Sequence, residues 1–287
     1  MISIQHFFDP ETFTLTYVVW DGSTKDGIVI DPLWNYDQAS STLTSKSVDT
    51  VVGFLKEKSL KVHWILETHA HADHISGAQL LKKYFPQAKT GIGERITEVQ
   101  KVFQPIFNLK SLKTDGSQFD KLFKENETAQ AGSFSLKVLF TPGHTPACAS
   151  YVIEDAVFTG DALFMPDVGT GRCDFPQGSA DMLYTSVTEK LYSLPDKTRV
   201  FTGHDYPNGG REVKYESTIA EEKATNIHIK GKTTREEYVS FRTNRDKTLS
   251  APKLLLPSIQ VNIDGGKFPE AQSNGKSYLN IPISIKP

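Results

Sequence analysis

Val62-His-Trp-Ile-Leu66 runs without a break into Glu67-Thr-His-Ala-His-Ala-Asp-His74. The first five residues are mostly apolar or aromatic and β-prone, the pattern of a buried strand. The polar run after them places three imidazoles and a carboxylate within six positions. Packing alone does not account for such a concentration, since every buried ring nitrogen needs a partner. A tight loop at a strand end can turn these side chains toward one point, an arrangement that a metal ion stabilises. Ala70 and Ala72 leave room for the turn.

The same arrangement, a polar residue closing an apolar run, recurs downstream. Thr141-Pro-Gly-His144-Thr-Pro146 presents one imidazole on a turn fixed by Pro and Gly. Thr159-Gly-Asp161 follows Val157-Phe158, and Thr202-Gly-His204-Asp205 follows Arg199–Phe201. Each of these alone reads as a capping or turn residue; beside the first cluster they read as one site. His6, His63 and His228 lie outside the clusters and read as ordinary packed or surface histidines.

Around these motifs the periodicity predicts strands at 15–20, 27–30, 134–140, 149–153, 157–159 and 199–201. It predicts helices at 48–57 with Ser47 as N-cap, 75–84 ending before Pro86, 96–107 and 180–193. The order strand, strand, helix, strand occurs roughly twice. The polar, Gly-punctuated stretch 110–132 reads as an excursion or lid, while Phe103, Phe107, Phe119 and Phe123 read as core. Residues 212–248 read as charged helix, with Lys223 to Arg235 a solvated face. The Pro-rich tail is expected to pack through Leu254–Leu256 and Ile281–Ile285. A soft boundary near Glu212 divides a catalytic domain, 1–211, from a helical segment and tail, 212–287, packed on it.

The 287 residues are enough for a sizeable core. With 32 basic against 34 acidic residues there is no field to attract a polyanion, which argues against nucleic acid. Two cysteines, Cys148 and Cys173, make no disulfide framework and read as small, part-buried residues in a reducing compartment. With no secretory pattern and no apolar run of about twenty residues, a cytoplasmic protein without a membrane partner is expected.

The pattern His-x-His-x-Asp-His, then a separate His, Asp and His, resembles the metallo-β-lactamase superfamily. It is matched by His69, His71, Asp73, His74, His144, Asp161 and His204. The resemblance implies an α/β fold, a four-layer αββα sandwich with the site at one edge of its sheets, here with a C-terminal helical and irregular extension. In dinuclear members His69, His71 and His144 would hold one metal, and Asp73, His74 and His204 the other, with Asp161 bridging.

Thr68–His74, Phe140–Cys148, Phe158-Thr-Gly-Asp-Ala-Leu-Phe164 and Gly171-Arg-Cys-Asp-Phe175 are similar to the persulfide dioxygenase group. Glu216–Glu222 followed by Asn226 is similar to it too. This implies one Fe(II) per chain on His69, His144 and Asp161, a two-histidine, one-carboxylate set. His71, Asp73, His74 and His204 would then orient ligands or water. The implied reaction takes glutathione persulfide, or a similar low-molecular-weight persulfide, with O₂ and water to sulfite and thiol. The alternative is a hydrolase of glutathione thioesters with one or two Zn(II), in which metal-bound water is the nucleophile; a metal-stabilised binding module without turnover is a third reading. Arg172 is a candidate for a substrate carboxylate or for a structural ion pair. The group also implies a homodimer.

Overall fold

The computed structural model describes residues 2–285. Strands β1 (Ile2–Asp9), β2 (Thr14–Asp21) and β3 (Asp26–Ile30) form an antiparallel meander. After the small hairpin β4 (Leu33–Asp37) and β5 (Thr42–Thr44), helix α1 (Lys46–Glu57) crosses back so that β6 (Lys61–Leu66) lies parallel to β3. The two-residue strand β7 (Ile75–Ser76) joins β4. Helices α2 (Ala78–Tyr84) and α3 (Ile96–Ile106) then lead into β8 (Lys89–Gly93) and β9 (Lys121–Phe123), both added in parallel. The first sheet has the order β1-β2-β3-β6-β8-β9.

The second half of the chain repeats the plan. Strands β10 (Thr128–Ala131), β11 (Phe134–Phe140), β12 (Ala149–Ile153) and β13 (Ala156–Phe158) form an antiparallel run. Helix α4 (Ala180–Thr185) makes the crossover to the parallel strand β14 (Arg199–Phe201), and β15 (Glu216–Thr218) closes the sheet in the order β10 to β15. Helices α5 (Ile219–Thr225), α6 (Arg235–Asp246) and α7 (Leu255–Asn262) complete the chain's regular elements.

Each sheet is apolar on both faces, so each is covered twice. Tyr17, Leu66, Leu136, Val138, Tyr151 and Phe158 meet between the sheets. Val18, Val29 and Ile65 on the far face of the first sheet pack against Val48, Val51 and Leu55 of α1 and Leu81 of α2. Val157 and Val200 on the far face of the second pack against Leu183, Ile219 and Tyr238. This is the four-layer αββα sandwich the resemblance implied. A further cluster joins α3 and α7 to Ala70 and Ala72 of the histidine loop.

Several local expectations change. Helix α1 starts at Lys46, and Ser47 is no cap: its backbone N–H donates to Asn35 Oδ1 at 2.9 Å. Ile75 and Ser76 have helical spacing with residues 78–84 but are held as strand by pairing with Trp34 and Leu33, so α2 begins only after Gly77. The stretch 110–132 is no lid; it contains β9 and β10, outermost strands of the two sheets, and makes the passage between them. The run predicted as one helix over 180–193 widens after Thr185 into a π-type turn, Ser186–Leu191. The stretch read as charged helix from 212 opens instead with β15. In the tail Leu254 is buried and Leu255 and Leu256 are half-buried, as expected, but the stretch read as irregular forms the helix α7, and Ile281, Ile283 and Ile285 are 63%, 86% and 91% exposed. Phe103, Phe107, Phe119 and Phe123 are buried, as core residues should be.

Candidate metal centre

Strands β6, β11, β13 and β14 all end at the same edge of the sandwich, and the residue or loop after each end carries a piece of the site. The loop after β6 carries His69, His71, Asp73 and His74; His144 follows β11, Asp161 follows β13, and His204 follows β14. The edges are stitched together by backbone bonds: Ala149 N–H to Thr68 O at 2.9 Å, Gly203 N–H to Gly160 O at 3.0 Å, and Leu15 N–H to Gly203 O at 2.9 Å. Gly160 has φ +50°, and a Cβ there would press on the Thr68 side chain, so the turn that aims Asp161 at the histidine loop requires glycine.

All seven polar residues therefore meet. One ligand atom from each of His69, His144 and Asp161 lies within 4.8 Å of the others, and the same holds for His71, Asp73 and His74. Asp161 Oδ2 is 3.4 Å from His144 Nε2 and 3.9 Å from His69 Nε2. His204 Nε2 stands between the groups, 3.4 Å from both Asp73 Oδ2 and Asp161 Oδ1.

For His144, His69 and His71 the hydrogen bonds fix which ring nitrogen is free. His144 Nδ1 is 2.7 Å from the Arg172 carbonyl, which can only accept, so the proton sits on Nδ1 and Nε2 offers its lone pair. Thr68 Oγ1 donates to Asp31 Oδ2 at 2.8 Å and so accepts from His69 Nδ1 at 3.0 Å, leaving His69 Nε2 free in turn. His71 Nε2 lies 3.1 Å from Asp31 Oδ1 and 3.3 Å from Glu67 Oε2.

Burial pushes the His69 ring well below the usual histidine range, with His71 and His144 adding to the effect. Burial also opposes charge on His71, but Asp31 and Glu67 outweigh it and hold that ring protonated to higher pH. His69 Nε2, His71 Nδ1, His74 Nε2 and Asp161 Oδ1 are all buried without a hydrogen-bond partner. So many buried orphan atoms in one place are costly unless a cation meets them, and nitrogen and carboxylate donors suit iron or zinc. The residues present fit a bound metal.

Sequence reading missed the supports. Asp31 closes β3 as the other site residues close their strands, so the same strand-end signal could have found it. Asn262, in α7, had no such signal: it donates to both His71 O and His74 O at 2.8 Å and accepts from Ser76 N–H at 2.8 Å.

A cavity of about 750 Å³ opens over Asp73, His74, His144, Asp161 and His204. Trp34 and Tyr36 form one wall, and α6 with the segment after it the other. Arg172 also lines it, but its guanidinium grips Asp174 through two bonds of 2.6 Å and donates to Ser250 O. Cys148 and Cys173 are buried free thiols, and burial pushes Cys148 up to about 12 and Cys173 higher, as expected of inert packing residues. His6 stacks on Tyr215, His63 pairs with Asp26, and His228 accepts from Thr170 N–H, its ring also lining the cavity.

A two-sheet sandwich with clustered histidines and aspartates at the ends of its strands defines a metal-dependent enzyme scaffold. Residues 9–204 match the family model described as metallo-beta-lactamase superfamily, and the chain belongs to that superfamily. It is 49% identical to "Glyoxylase B2" of Dictyostelium discoideum, over 98% of this chain and 97% of that one. It is 47% identical to a "Beta-lactamase hydrolase-like protein" of Agrobacterium fabrum, of whose length it spans 65%. It is 32% identical to "Persulfide dioxygenase ETHE1, mitochondrial" of Bos taurus, over 79% of this chain and 76% of that one. The crystal structure of ETHE1 from Myxococcus xanthus superposes with a TM-score of 0.74 at 32% identity, covering 92% of this chain and all of the other. No helix among the described residues is long and apolar enough to cross a membrane.

Proposed function

We propose that the protein is a persulfide dioxygenase, taking glutathione persulfide or a similar small persulfide with O₂ and water to sulfite and the free thiol. The observation that carries this reading is the grouping of His69, His144 and Asp161, two imidazoles and one carboxylate whose ligand atoms lie within 4.8 Å of one another. That donor set suits non-haem iron, which when bound supplies the O₂ chemistry. The likeness to the bovine and Myxococcus proteins supports it.

The chain's own residues supply position. Arg172 O and Thr68 Oγ1 fix the tautomers of His144 and His69. The cavity beside them is large enough to admit a small thiol-derived substrate. Since Arg172 is taken by Asp174, the cations left for substrate carboxylates are Arg245 and Lys253 on the cavity wall, which make no ion pair among the described residues.

A second reading, a zinc hydrolase of glutathione thioesters, is favoured by the further grouping of His71, Asp73 and His74 and by the name of the Dictyostelium relative. Oxygen uptake separates the two. Protein loaded anaerobically with Fe(II) is expected to consume O₂ and form sulfite when glutathione persulfide is added, while the zinc form does neither. An iron form with verified occupancy and no uptake, beside a zinc form that cleaves a glutathione thioester, overturns the dioxygenase reading.

A further inference from the structure

We propose that the buried Arg242–Asp246 pair of α6 is a positioning device for His144, acting through the backbone of residues 170–173. The proposal rests on the reading of His144 as a metal ligand. Both residues lie beyond the stretch matched by the family model, and both are almost wholly buried, with Arg242 Nη2 and Asp246 Oδ1 2.6 Å apart.

Their other contacts go to the loop that carries the Arg172 carbonyl. Arg242 Nη1 donates to Thr170 O at 3.2 Å, and Asp246 Oδ2 accepts from Cys173 N–H at 2.7 Å. The pair thus brackets Gly171 and Arg172 from both sides. Inside that bracket the Arg172 carbonyl accepts the hydrogen bond from His144 Nδ1–H. Gly171 passes so close to Asp161 that a Cβ there would collide with the Asp161 carbonyl oxygen. A segment in contact with both His144 and Asp161 is therefore held in place by one ion pair.

Surface pairs rarely matter, but a buried pair is costly to assemble and one partner cannot be removed lightly. Here Arg242 Nη1 and Asp246 Oδ2 are directed at two backbone groups, with Arg242 Nε buried and unpartnered, and those two groups flank the carbonyl that sets a ligand's tautomer. Partners of this kind change metal affinity by about 10–100-fold when lost.

The experiment compares the full chain with its Asp246→Asn and Arg242→Lys variants. Asp246→Asn removes the charge that anchors the pair. Arg242→Lys keeps a cation beside Asp246 while removing the fork that reaches Thr170, and it serves where Asp246→Asn does not accumulate as folded protein. Two readouts are taken: release of bound zinc to a chelator, and the ¹⁵N-histidine NMR signature of His144, assigned by its loss in His144→Ala. The proposal expects variants that melt cooperatively, release zinc about tenfold faster or more, and lose the protected Nδ1–H signal of His144. Folded variants with the parent's release rate and an unchanged His144 signature overturn it. The His144→Ala protein separates this outcome from failure of the underlying reading: if it holds zinc as tightly as the parent, His144 is no ligand, whatever the α6 variants do to its ring.

Discussion

An arginine in a cleft is free to bind a carboxylate only if its own fork is empty. Arg172 is excluded on this ground, because Asp174 occupies it in bidentate fashion. Arg242 is excluded by Asp246. Arg245 donates only to Thr248 Oγ1 among the described residues, and both Arg245 and Lys253 are exposed on the cavity wall. A hydrogen bond to a charged group is worth about 1.5–3 kcal/mol, or roughly a tenfold to hundredfold effect on binding. Arg245→Ala is therefore expected to raise KM for glutathione persulfide about tenfold with kcat within about twofold of the parent, the signature of lost uniform binding. Lys253→Ala should do the same more weakly. Steady-state kinetics with a persulfide whose carrier lacks carboxylates supplies the control: an equal loss there means the residues act on the fold and not on the substrate.

At the scale of elements, the centre depends on helices far away in the chain as much as on its own loops. Asn262 in α7 satisfies two carbonyls and one N–H of the loop His71–Ser76. Removing it leaves three buried backbone groups without partners, at about 1–3 kcal/mol for each left unsatisfied. Asn262→Ala is expected to lower stability by about 3 kcal/mol or more in urea titration and to weaken metal retention. A variant that keeps both would show that α7 merely covers the loop. The strand-end motifs were legible because residue type, turn chemistry and an apolar run all agree within a few positions, as at Thr159-Gly-Asp161. Asn262 was not, since nothing local marks an Asn in an apolar helix as the partner of a loop about 190 residues earlier. The edge strands β9, β10 and β15 escaped for a related reason: each is three or four residues long, too short to show a period, and only its pairing, with β8, β11 and β14 respectively, makes it a strand. Ile75 shows the same override, with helical spacing yielding to the pairing with Trp34.

For the molecule as a whole, the buried Glu222 sets a dependence of stability on pH. It lies between Ser217 Oγ and Asn226 Nδ2, and Asn226 in turn reaches Gly169 O in the loop ahead of Arg172. Burial raises its carboxyl from 4.5 to about 7, against the two hydrogen bonds. The folded protein thus keeps a proton that the unfolded chain has released between these values. The stability from this group is complete below pH 4.5 and is lost as pH rises through about 7, by about 3 kcal/mol in all. His228 works in the opposite sense: burial lowers it to about 4, so its contribution is present above the ordinary value of 6.5 and is lost as pH falls toward 4. Melting curves of the full chain should therefore show Tm falling as pH rises from about 6.5, where the opposing His228 contribution is largely in place, and levelling off above about pH 8, where Glu222 is ionised in both states. Glu222→Gln, a neutral isostere, should remove most of that fall and melt above the parent at pH 8.5. Metal retention gives a second readout, because ionised Glu222 pulls on the Asn226 bond to the Gly169 loop: zinc release from the parent should quicken over the same pH range and stay level in Glu222→Gln. A Glu222→Gln protein whose Tm declines with pH as steeply as the parent's would place the dependence elsewhere.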